Sequence, residues 1–474
     1  MPKTFIRLKG DPVIWGIIFA LCAVSLVEVF SATSMLSYGH SNYWQPFIRQ
    51  GVLLAIGLVI CIGMHYVPCH LFRYISAGWP FIVILLLFMA FTGGDVNGAA
   101  RWAKIGELTF QPSELAKGIL VATVALVLTQ CREGNGVNKQ AWKYVAFFSL
   151  PIIILIFKEN ISTAVFLCGV VFVMMFVAGV PTRQMLIISG VGIAIVVIGV
   201  ASLKAFPSNA DDPFYKTSVG SVFKRVPTAK ERIFGNSLVI TESPDSLVLS
   251  DKNMQEVHAR MAVANNNHGL GLLPGNSVER DYLPQAYSDF IYAIIAEETG
   301  IWGAGIVLLL YLVLLYRIGI IANNCGRDFA AFLVMGLGVL LVGQALLNMF
   351  VAVGLGPVTG QTLPLISRGG TSTFITCAYF GILQSVAWSG VKKKEEPVPA
   401  PQTPKSVKEE ETPSDAPATA VSQNEKTAAP DGDASAQDKE IYTPDEKEPS
   451  PEETPQDAPP VETLPDKENV EIPL

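Results

Sequence analysis

Three carboxylates mark the point where a long polar segment of the chain meets an apolar one. Asp289 comes directly before Phe290, and Glu297 and Glu298 follow inside the apolar run. A carboxylate near the centre of a bilayer costs about 2.5–3.5 kcal/mol even on a lenient insertion scale, and such residues are usually functional. Asp289 is therefore the first candidate for acid–base chemistry. The alternative is that Asp289 caps a helix at the membrane surface, where an acidic residue is well tolerated.

A second group of polar residues begins at Arg101 and Trp102 and continues into the next apolar stretch. Pro112 favours a helix start. This places Glu114 and Lys117 at i and i+3 on one helical face, where they can form an ion pair. The pair either specifies helix packing or belongs to a site where Lys117 holds an anion. Arg101 and Trp102 suit either such a site or an anchor at the membrane interface.

Two further polar stretches lie at predicted outer turns. Residues 158–163 must be polar as a turn in any case, so they are weak evidence alone. Residues 348–372 are rich in glycine and include two prolines, which predicts an irregular backbone. At bilayer depth such a backbone is tolerated only where it is buried in protein or lines a cavity. All four polar groups are predicted on the same side of the membrane, which favours one extracytoplasmic cavity.

The composition excludes an ordinary soluble protein. Of the 474 residues, 50% are hydrophobic and only 16% are charged, and the mean hydropathy is +0.40, which predicts several membrane spans. The net charge of −7 is uneven, because residues 391–474 alone carry −12 and the rest of the chain carries +5. No basic patch is interleaved with aromatic residues, so nucleic acid is not an expected partner. The seven cysteines include no CxxC pair, and we expect neither a zinc site nor a disulfide framework.

The apolar runs predict an all-α polytopic membrane protein with about ten transmembrane helices. Lys and Arg are concentrated in alternate short loops, so both termini are predicted to be cytoplasmic. The predicted spans are 13–35, 48–67, 74–91, 112–131, 142–157, 161–180, 185–206, 289–321, 329–353 and 371–391.

Two segments interrupt or follow these spans. Residues 207–288 form one large extracytoplasmic loop between spans seven and eight, and residues 254–264 within it have helical character. The last segment, residues 392–474, is acidic and rich in proline, with Tyr442 its one aromatic residue. Such a composition predicts a disordered cytoplasmic tail. The tail is either an inert tether or a recruitment segment for partners.

Three motifs together resemble the SEDS family (shape, elongation, division and sporulation), which are polytopic peptidoglycan polymerases. The motifs NGAARW…QPSELAK, GNSVERDYLPQAYSDFIYAIIAEE and NMFVAVGLGPVTGQTLPLISRGGTS resemble the three signature regions of that family in order. The resemblance covers residues 13–390 and omits the tail. Gly275-Asn276-Ser277 and the cytoplasmic tail resemble the division branch, FtsW, more than the elongation branch, RodA.

This resemblance implies a glycosyltransferase acting on lipid II, the undecaprenyl-pyrophosphate disaccharide-pentapeptide. The expected location is the cytoplasmic (inner) membrane at the division septum, among membrane lipids, with a class B penicillin-binding protein transpeptidase and other divisome proteins as partners. Asp289 aligns with the essential aspartate of the family and would be the catalytic carboxylate. No metal site is assigned, although a divalent cation, Mg²⁺ or Mn²⁺, would suit the pyrophosphate. The residues expected to bind substrate are Arg101, Trp102, Glu114, Lys117, Asp281 and Arg368.

The chain departs from the family pattern at two places. The EPDxGT turn between spans five and six has Glu159, Asn160 and Ser162 instead of Pro, Asp and Gly, which weakens an ionic role for that turn. Gln361 and Arg368 differ from the commoner residues of the last signature, and the added charge of Arg368 favours binding of a pyrophosphate.

Two other functions fit the same residues, namely that of a lipid II flippase and that of a non-catalytic division scaffold.

Overall fold

The computed structural model is a bundle of long helices. It describes residues 9–33, 44–92, 103–105, 108–134, 136–203, 254–265, 271–283, 286–356 and 358–395. The predictions for Arg101, Trp102, the loop residues 207–253 and the tail after residue 395 therefore lie outside the described residues.

Eleven α-helices are present in the described part of the chain. They are α1 (Pro12–Ala32), α2 (Gln45–Tyr66), α3 (Trp79–Thr92), α4 (Pro112–Gln130), α5 (Ala141–Glu159), α6 (Ile161–Val177), α7 (Thr182–Leu203), α8 (Met254–Ala264), α9 (Ile291–Asn324), α10 (Asp328–Ala352) and α11 (Thr371–Glu395). Short 3-10 helices at Cys69–Gly78 and Glu279–Asp281 precede α3 and α9.

Each of the ten predicted spans coincides with one long helix of the described structure, and α8 is the additional helix. Eight helices of the described residues are long and apolar enough to cross a membrane. The 17-residue α6 is shorter, and α11 is not among the eight. A polytopic all-α membrane fold is thus confirmed, while the number ten stays a prediction. The prediction of a helix within the large loop is also confirmed, because α8 spans Met254–Ala264.

Two antiparallel hairpins flank α4, and the sequence did not predict them. In the first, β1 (Ala103–Ile105) pairs with β2 (Leu108–Phe110), which leads into α4. In the second, β3 (Arg132–Glu133) pairs with β4 (Gly136–Val137) just after α4. Runs of two or three strand residues are too short for alternation of polar and apolar side chains to reveal them.

The core lies along α4 and α10, whose residues are mostly buried, whereas α7 is largely exposed.

At the inner end of the bundle, the side predicted to be cytoplasmic, Asp11 caps α1 by accepting hydrogen bonds from Val13 N (2.9 Å) and Ile14 N (3.3 Å). Arg317 of α9 donates from Nε to Asp11 Oδ2 (3.0 Å). Gln384 of α11 donates to Asp11 O (3.0 Å) and accepts from Asp11 N (2.8 Å). One acidic cap therefore joins three helices.

Helix α9 is broken at Gly300, although the sequence predicted one continuous span. Gly300 has φ 68° and ψ −169°, so Ile291–Thr299 and Ile301–Asn324 are separate helical segments. The carbonyls of Glu297 and Glu298, at the end of the first segment, accept hydrogen bonds from Leu272 N (2.9 Å) and Leu273 N (2.7 Å). The loop before α9 therefore caps the break, which satisfies backbone groups that a helix end leaves unpaired.

Replacing Gly300 with alanine is expected to destabilise the protein by about 1–3 kcal/mol, because this backbone region is open almost only to glycine. The measurement is the free energy of unfolding of the purified protein in micelles. Gly305 provides the matched control, since it lies in the same helix and a methyl group there would meet no neighbouring atom. Gly305→Ala should be neutral or slightly stabilising, and equal destabilisation by both changes would contradict the prediction.

Candidate functional site

Asp289 lies in the turn directly before α9, at the end of the bundle that we call the outer end. Its side chain is half-buried. Ser288 Oγ donates to Asp289 Oδ1 (2.9 Å), and a side chain at Gly360 would begin 3.6 Å from Asp289 Oδ2. Gly360 has φ +65°, a conformation that suits glycine. The carboxylate therefore faces the segment that joins α10 to α11.

That joining segment, residues 358–370, runs into the bundle. Leu363 and Ile366 are buried, Tyr311 donates to Pro364 O (2.5 Å), and Ser25 donates to Ile366 O (2.8 Å). The irregular backbone predicted from the glycines and prolines is thus buried in protein, as membrane depth requires.

The same segment holds the turn that carries Asp289. Ser367 Oγ donates to Ser288 O (2.6 Å) and accepts from Leu363 N (2.7 Å). Arg368 N donates to Tyr287 O (3.0 Å). The main-chain carbonyls of Tyr287 and Ser288, the two residues before Asp289, are therefore held in place, an arrangement that preorganises the carboxylate.

Asn348 of α10 joins the two segments. Its Nδ2 donates both to Asp289 O (2.8 Å) and to Gln361 O (2.7 Å). The side chain of Gln361 then donates to Thr163 Oγ1 (2.6 Å), while Asn160 caps α6 by accepting from Thr163 N (3.2 Å). The turn between α5 and α6 thus contributes neutral hydrogen bonds through Asn160 and Thr163.

Replacing Asn348 with leucine is expected to cost about 1–3 kcal/mol of stability for each carbonyl left without its donor. The activity proposed below should fall as well, since a displacement of 1 Å at a reacting group can cost about 100-fold in rate. Asn324→Leu is the matched control, because Asn324 is exposed and its side chain donates to Ile320 O within its own helix. Unfolding measurements in micelles that give equal losses for both variants would contradict this role of Asn348.

Lys117 of α4 is buried with 1% of its side chain exposed, and the predicted ion pair with Glu114 is confirmed. Lys117 Nζ lies 2.8 Å from both Glu114 carboxylate oxygens and donates to Gln344 Oε1 (2.9 Å). Gln344 in turn donates to Thr362 O (2.9 Å). Since Thr362 adjoins Gln361, the Lys117 pair and the Asp289 turn are connected through one segment of the chain.

Arg368 brings positive charge to the outer end. Its guanidinium lies 5.2 Å from the centroid of the Tyr287 ring. Burial, with the nearby charge of Arg49 as the second cause, lowers the pKa of Arg368 from its ordinary value. The charge of Arg49 acts on Arg368, and no carboxylate is paired with Arg368 among the described residues, which favours an anion there.

Asp281 does not join this group in the structure. It is exposed in the 3-10 helix Glu279–Asp281, and Arg280 Nε lies 3.5 Å from its Oδ1. No hydrogen bond or ion pair between Asp281 and Asp289 is present among the described residues. The assignment of Asp281 to substrate binding stays a prediction.

Sequence reasoning missed three residues of the site, which are Arg49, Gln344 and Asn348. Gln344 and Asn348 are spaced i and i+4 in an otherwise apolar helix, which puts both amides on one face. That spacing was a usable signal. Arg49 gave none, because its approach to Arg368 joins parts of the chain that are far apart in sequence.

The described residues form no group of three or more His, Cys, Asp or Glu side chains that could hold a metal ion. The divalent cation expected at the pyrophosphate stays a prediction. A cavity of about 350 Å³ lies at the inner end, lined by residues such as Cys69, Arg327 and Ser389. It contains none of the predicted site residues.

The arrangement suits transfer chemistry on a charged substrate at the outer end. A half-buried carboxylate can accept a proton, and cations nearby can stabilise an anionic leaving group.

Comparisons with known proteins agree with this picture. A family model described as cell cycle protein, FtsW/RodA/SpoVE, matches residues 12–391. A probable peptidoglycan glycosyltransferase FtsW from Nitrosococcus halophilus is 29% identical over 389 residues, which is 80% of this chain and 92% of that relative. The protein of the same description from Legionella pneumophila is 30% identical, over 78% of this chain and 88% of its own length.

Solved structures show the same fold. One chain comes from work on structural coordination of polymerization and crosslinking by a peptidoglycan synthase complex. It has 25% identity and a TM-score of 0.62, and the match covers 80% of this chain and 98% of that one. The rod shape determining protein RodA of Thermus thermophilus has 24% identity and a TM-score of 0.53, with 81% and 98% covered. At 24% identity, the second likeness shows the fold alone.

Proposed function

The chain belongs to the FtsW/RodA/SpoVE family of cell cycle proteins, and we propose that it is a peptidoglycan glycosyltransferase that polymerises lipid II during septal wall synthesis. Relatives that carry the glycosyltransferase description cover most of its length. The observation that carries the proposal is the placement of Asp289, a half-buried carboxylate held by main-chain bonds at the outer end.

Asp289 is the proposed general base. The reaction joins the 4-hydroxyl of an acceptor GlcNAc to C1 of a donor MurNAc and expels the lipid pyrophosphate. An α-linked donor that gives a β-1,4 product requires one inverting displacement, in which the base takes the proton of the attacking hydroxyl. The bonds from Asn348 to the main chain of Asp289 and from Ser288 to its carboxylate support a fixed orientation for that transfer.

The leaving pyrophosphate needs positive charge. Arg368 and Arg49 are the proposed cations at the outer end, because they lie near each other and Arg368 is half-buried. Lys117 is a further candidate, although Glu114 and Gln344 already occupy its donors. No step is assigned to a metal ion, since the described residues offer no metal site beside Asp289.

A penicillin-binding transpeptidase is the proposed partner, which would cross-link the glycan as it forms. We place its contact on the outer loop, α9 and α10, as the family resemblance implies. Helix α9 offers exposed apolar side chains for such a contact, including Ile301, Trp302 and Ile306. The relative solved within a peptidoglycan synthase complex supports an assembly of this kind.

The test is glycan synthesis from purified lipid II by the full-length protein in proteoliposomes, with and without a class B penicillin-binding protein from the same source. Fluorescent lipid II gives two readouts in one sample, namely polymer on a gel and transfer of lipid between leaflets. Polymer that forms with the purified protein supports the proposal. Transfer of lipid without polymer, with or without the partner, would overturn it in favour of a flippase.

A further inference from the structure

Two buried glutamates, Glu28 and Glu298, lie near the break in α9 and away from Asp289. Glu28 lies in the last part of α1 and is 2% exposed, and Glu298 lies directly before the break and is fully buried. The Oε2 atoms of both side chains are buried and have no hydrogen-bond partner among the residues that the structure describes. The charge of Glu298 acts on Glu28, and α1 packs against α9. One oxygen of each carboxylate is thus left without a donor in the described part of the chain, although the amides of Gly275 and Ser277 also act on Glu298.

The side-chain donors near Glu298 are those of Ser31 and Arg280. Ser31 Oγ donates to Glu298 Oε1, and Arg280 Nη1 donates to Ser31 Oγ (3.1 Å) and lies 3.9 Å from Glu298 Oε1. Arg280 Nε also lies 3.5 Å from the exposed Asp281. None of these donors reaches the Oε2 atom of either glutamate.

The acidic side chains near the break in α9 outnumber the basic ones. Arg280 is the one cation paired with either glutamate in the described part of the chain. The end of the first α9 segment adds partial negative charge, because carbonyl dipoles point toward a helix C-terminus. The carboxylate of Glu297 brings no positive charge to Glu28 or Glu298. It accepts hydrogen bonds from Ser277 Oγ and from the amides of Val278 and Glu279. If both glutamates are ionised, the cluster has more negative than positive charge in a buried environment, where unpaired charge is costly. Either a bound cation or a proton would remove that cost.

We infer that Glu28 and Glu298 bind a small hard cation at the break in α9. Carboxylate and hydroxyl oxygens are the ligands preferred by Mg²⁺, Ca²⁺ and Mn²⁺, and Na⁺ also binds where membrane helices are interrupted. The chemistry that these ions share is a preference for oxygen ligands, which the two carboxylates would supply. Glu298 is seven residues along α9 from Ile291, about 10 Å, so this site is separate from the Asp289 turn. The bound ion would link α1 to α9 at the point where α9 lacks helical continuity.

The inference does not depend on the proposed function, and its test contains no lipid II. The full-length protein in micelles is stripped of ions in choline chloride with a chelator, and its thermal unfolding is followed by tryptophan fluorescence. Equal ionic strengths of Na⁺, Mg²⁺, Ca²⁺ and Mn²⁺ are then compared. At least one ion should raise the unfolding temperature of the unmodified protein by roughly 5 °C when well above its dissociation constant.

Glu28→Gln should lose that rise, because it removes one charged ligand and keeps the shape of the side chain. Glu133→Gln is the matched control, since Glu133 is an exposed carboxylate at the inner end, and it should keep the full rise. If Glu28→Gln does not fold, Glu298→Gln serves for the same comparison. The inference is overturned if no ion raises the unfolding temperature, or if the rise is equal in the variant and the unmodified protein. It is also overturned if acidification alone reproduces the rise, since the pair would then hold a proton.

Discussion

Asp289→Asn is expected to reduce glycan polymerisation by about 100- to 10,000-fold, the usual contribution of a positioned general base. The amide keeps the size of the side chain but cannot accept the proton of the attacking hydroxyl. The fold should survive, because Asn348 bonds to the main-chain carbonyl of Asp289 and Ser367 bonds to that of Ser288. The loss should therefore appear in the rate of the bound complex while the unfolding temperature changes little.

The measurement is polymer formed per minute from purified lipid II, with circular dichroism and thermal unfolding on the same samples. Asp328→Asn is the matched control, because Asp328 is an exposed aspartate whose carboxylate pairs with Arg132 near the start of α10. That variant should polymerise at the normal rate. Near-normal activity of a folded Asp289→Asn protein would remove Asp289 as the base.

The helices of the bundle were predictable because each reflects a local property of the sequence. A run of about twenty apolar residues predicts a span whatever its neighbours, and the start of α4 at Pro112 and the loop helix α8 at Met254–Ala264 both agree with the structure. The ion pair of Glu114 with Lys117 was predictable for the same reason, since i and i+3 residues of one helix are neighbours.

The break in α9 shows where local reasoning fails. The apolar pattern continues through Gly300, so the sequence predicts one helix across residues 289–321. The break depends on Leu272 N and Leu273 N, which cap the first segment from a loop more than twenty residues away. Glycine is common in apolar helices, so Gly300 alone does not indicate a break. Its positive φ goes together with the capping loop, which the local sequence pattern does not reveal.

Some residues of the candidate site could likewise be predicted from the sequence, and others could not. Asp289 and Arg368 were identified from residue type and family resemblance, and the structure connects both to one turn through main-chain bonds. The influence of Arg49 on Arg368 and of Glu298 on Glu28 joins parts of the chain that are distant in sequence, which no spacing rule reports. Asp281 was assigned to substrate binding because it is an acidic residue in a family motif. In the structure it is exposed and pairs with Arg280, and the assignment stays a prediction.

Removing one partner of the Glu114–Lys117 pair is expected to cost about 3–5 kcal/mol of stability, because the other charge is left buried and unpaired. Lys117→Met leaves Glu114 beside the main chain of α4 without its cation, and Glu114→Gln leaves Lys117 with neutral partners only. The double variant should be more stable than the sum of the two losses predicts, by a coupling of about 0.5–3 kcal/mol. Unfolding in micelles gives these three free energies.

The same variants separate a structural role of the pair from a role in the reaction. If Lys117 only holds α4 against Gln344 of α10, the double variant should recover polymerisation along with stability. If its charge also stabilises the leaving pyrophosphate, activity should stay about 100- to 1,000-fold low in the double variant, as when one electrostatic donor is removed from an active site. We expect the second result. Lys117 is connected through Gln344 and Thr362 to the segment that faces Asp289, so a substrate at that carboxylate has positive charge within the same network. Recovery of both stability and activity would confine Lys117 to packing and leave Arg49 and Arg368 as the cations of the site.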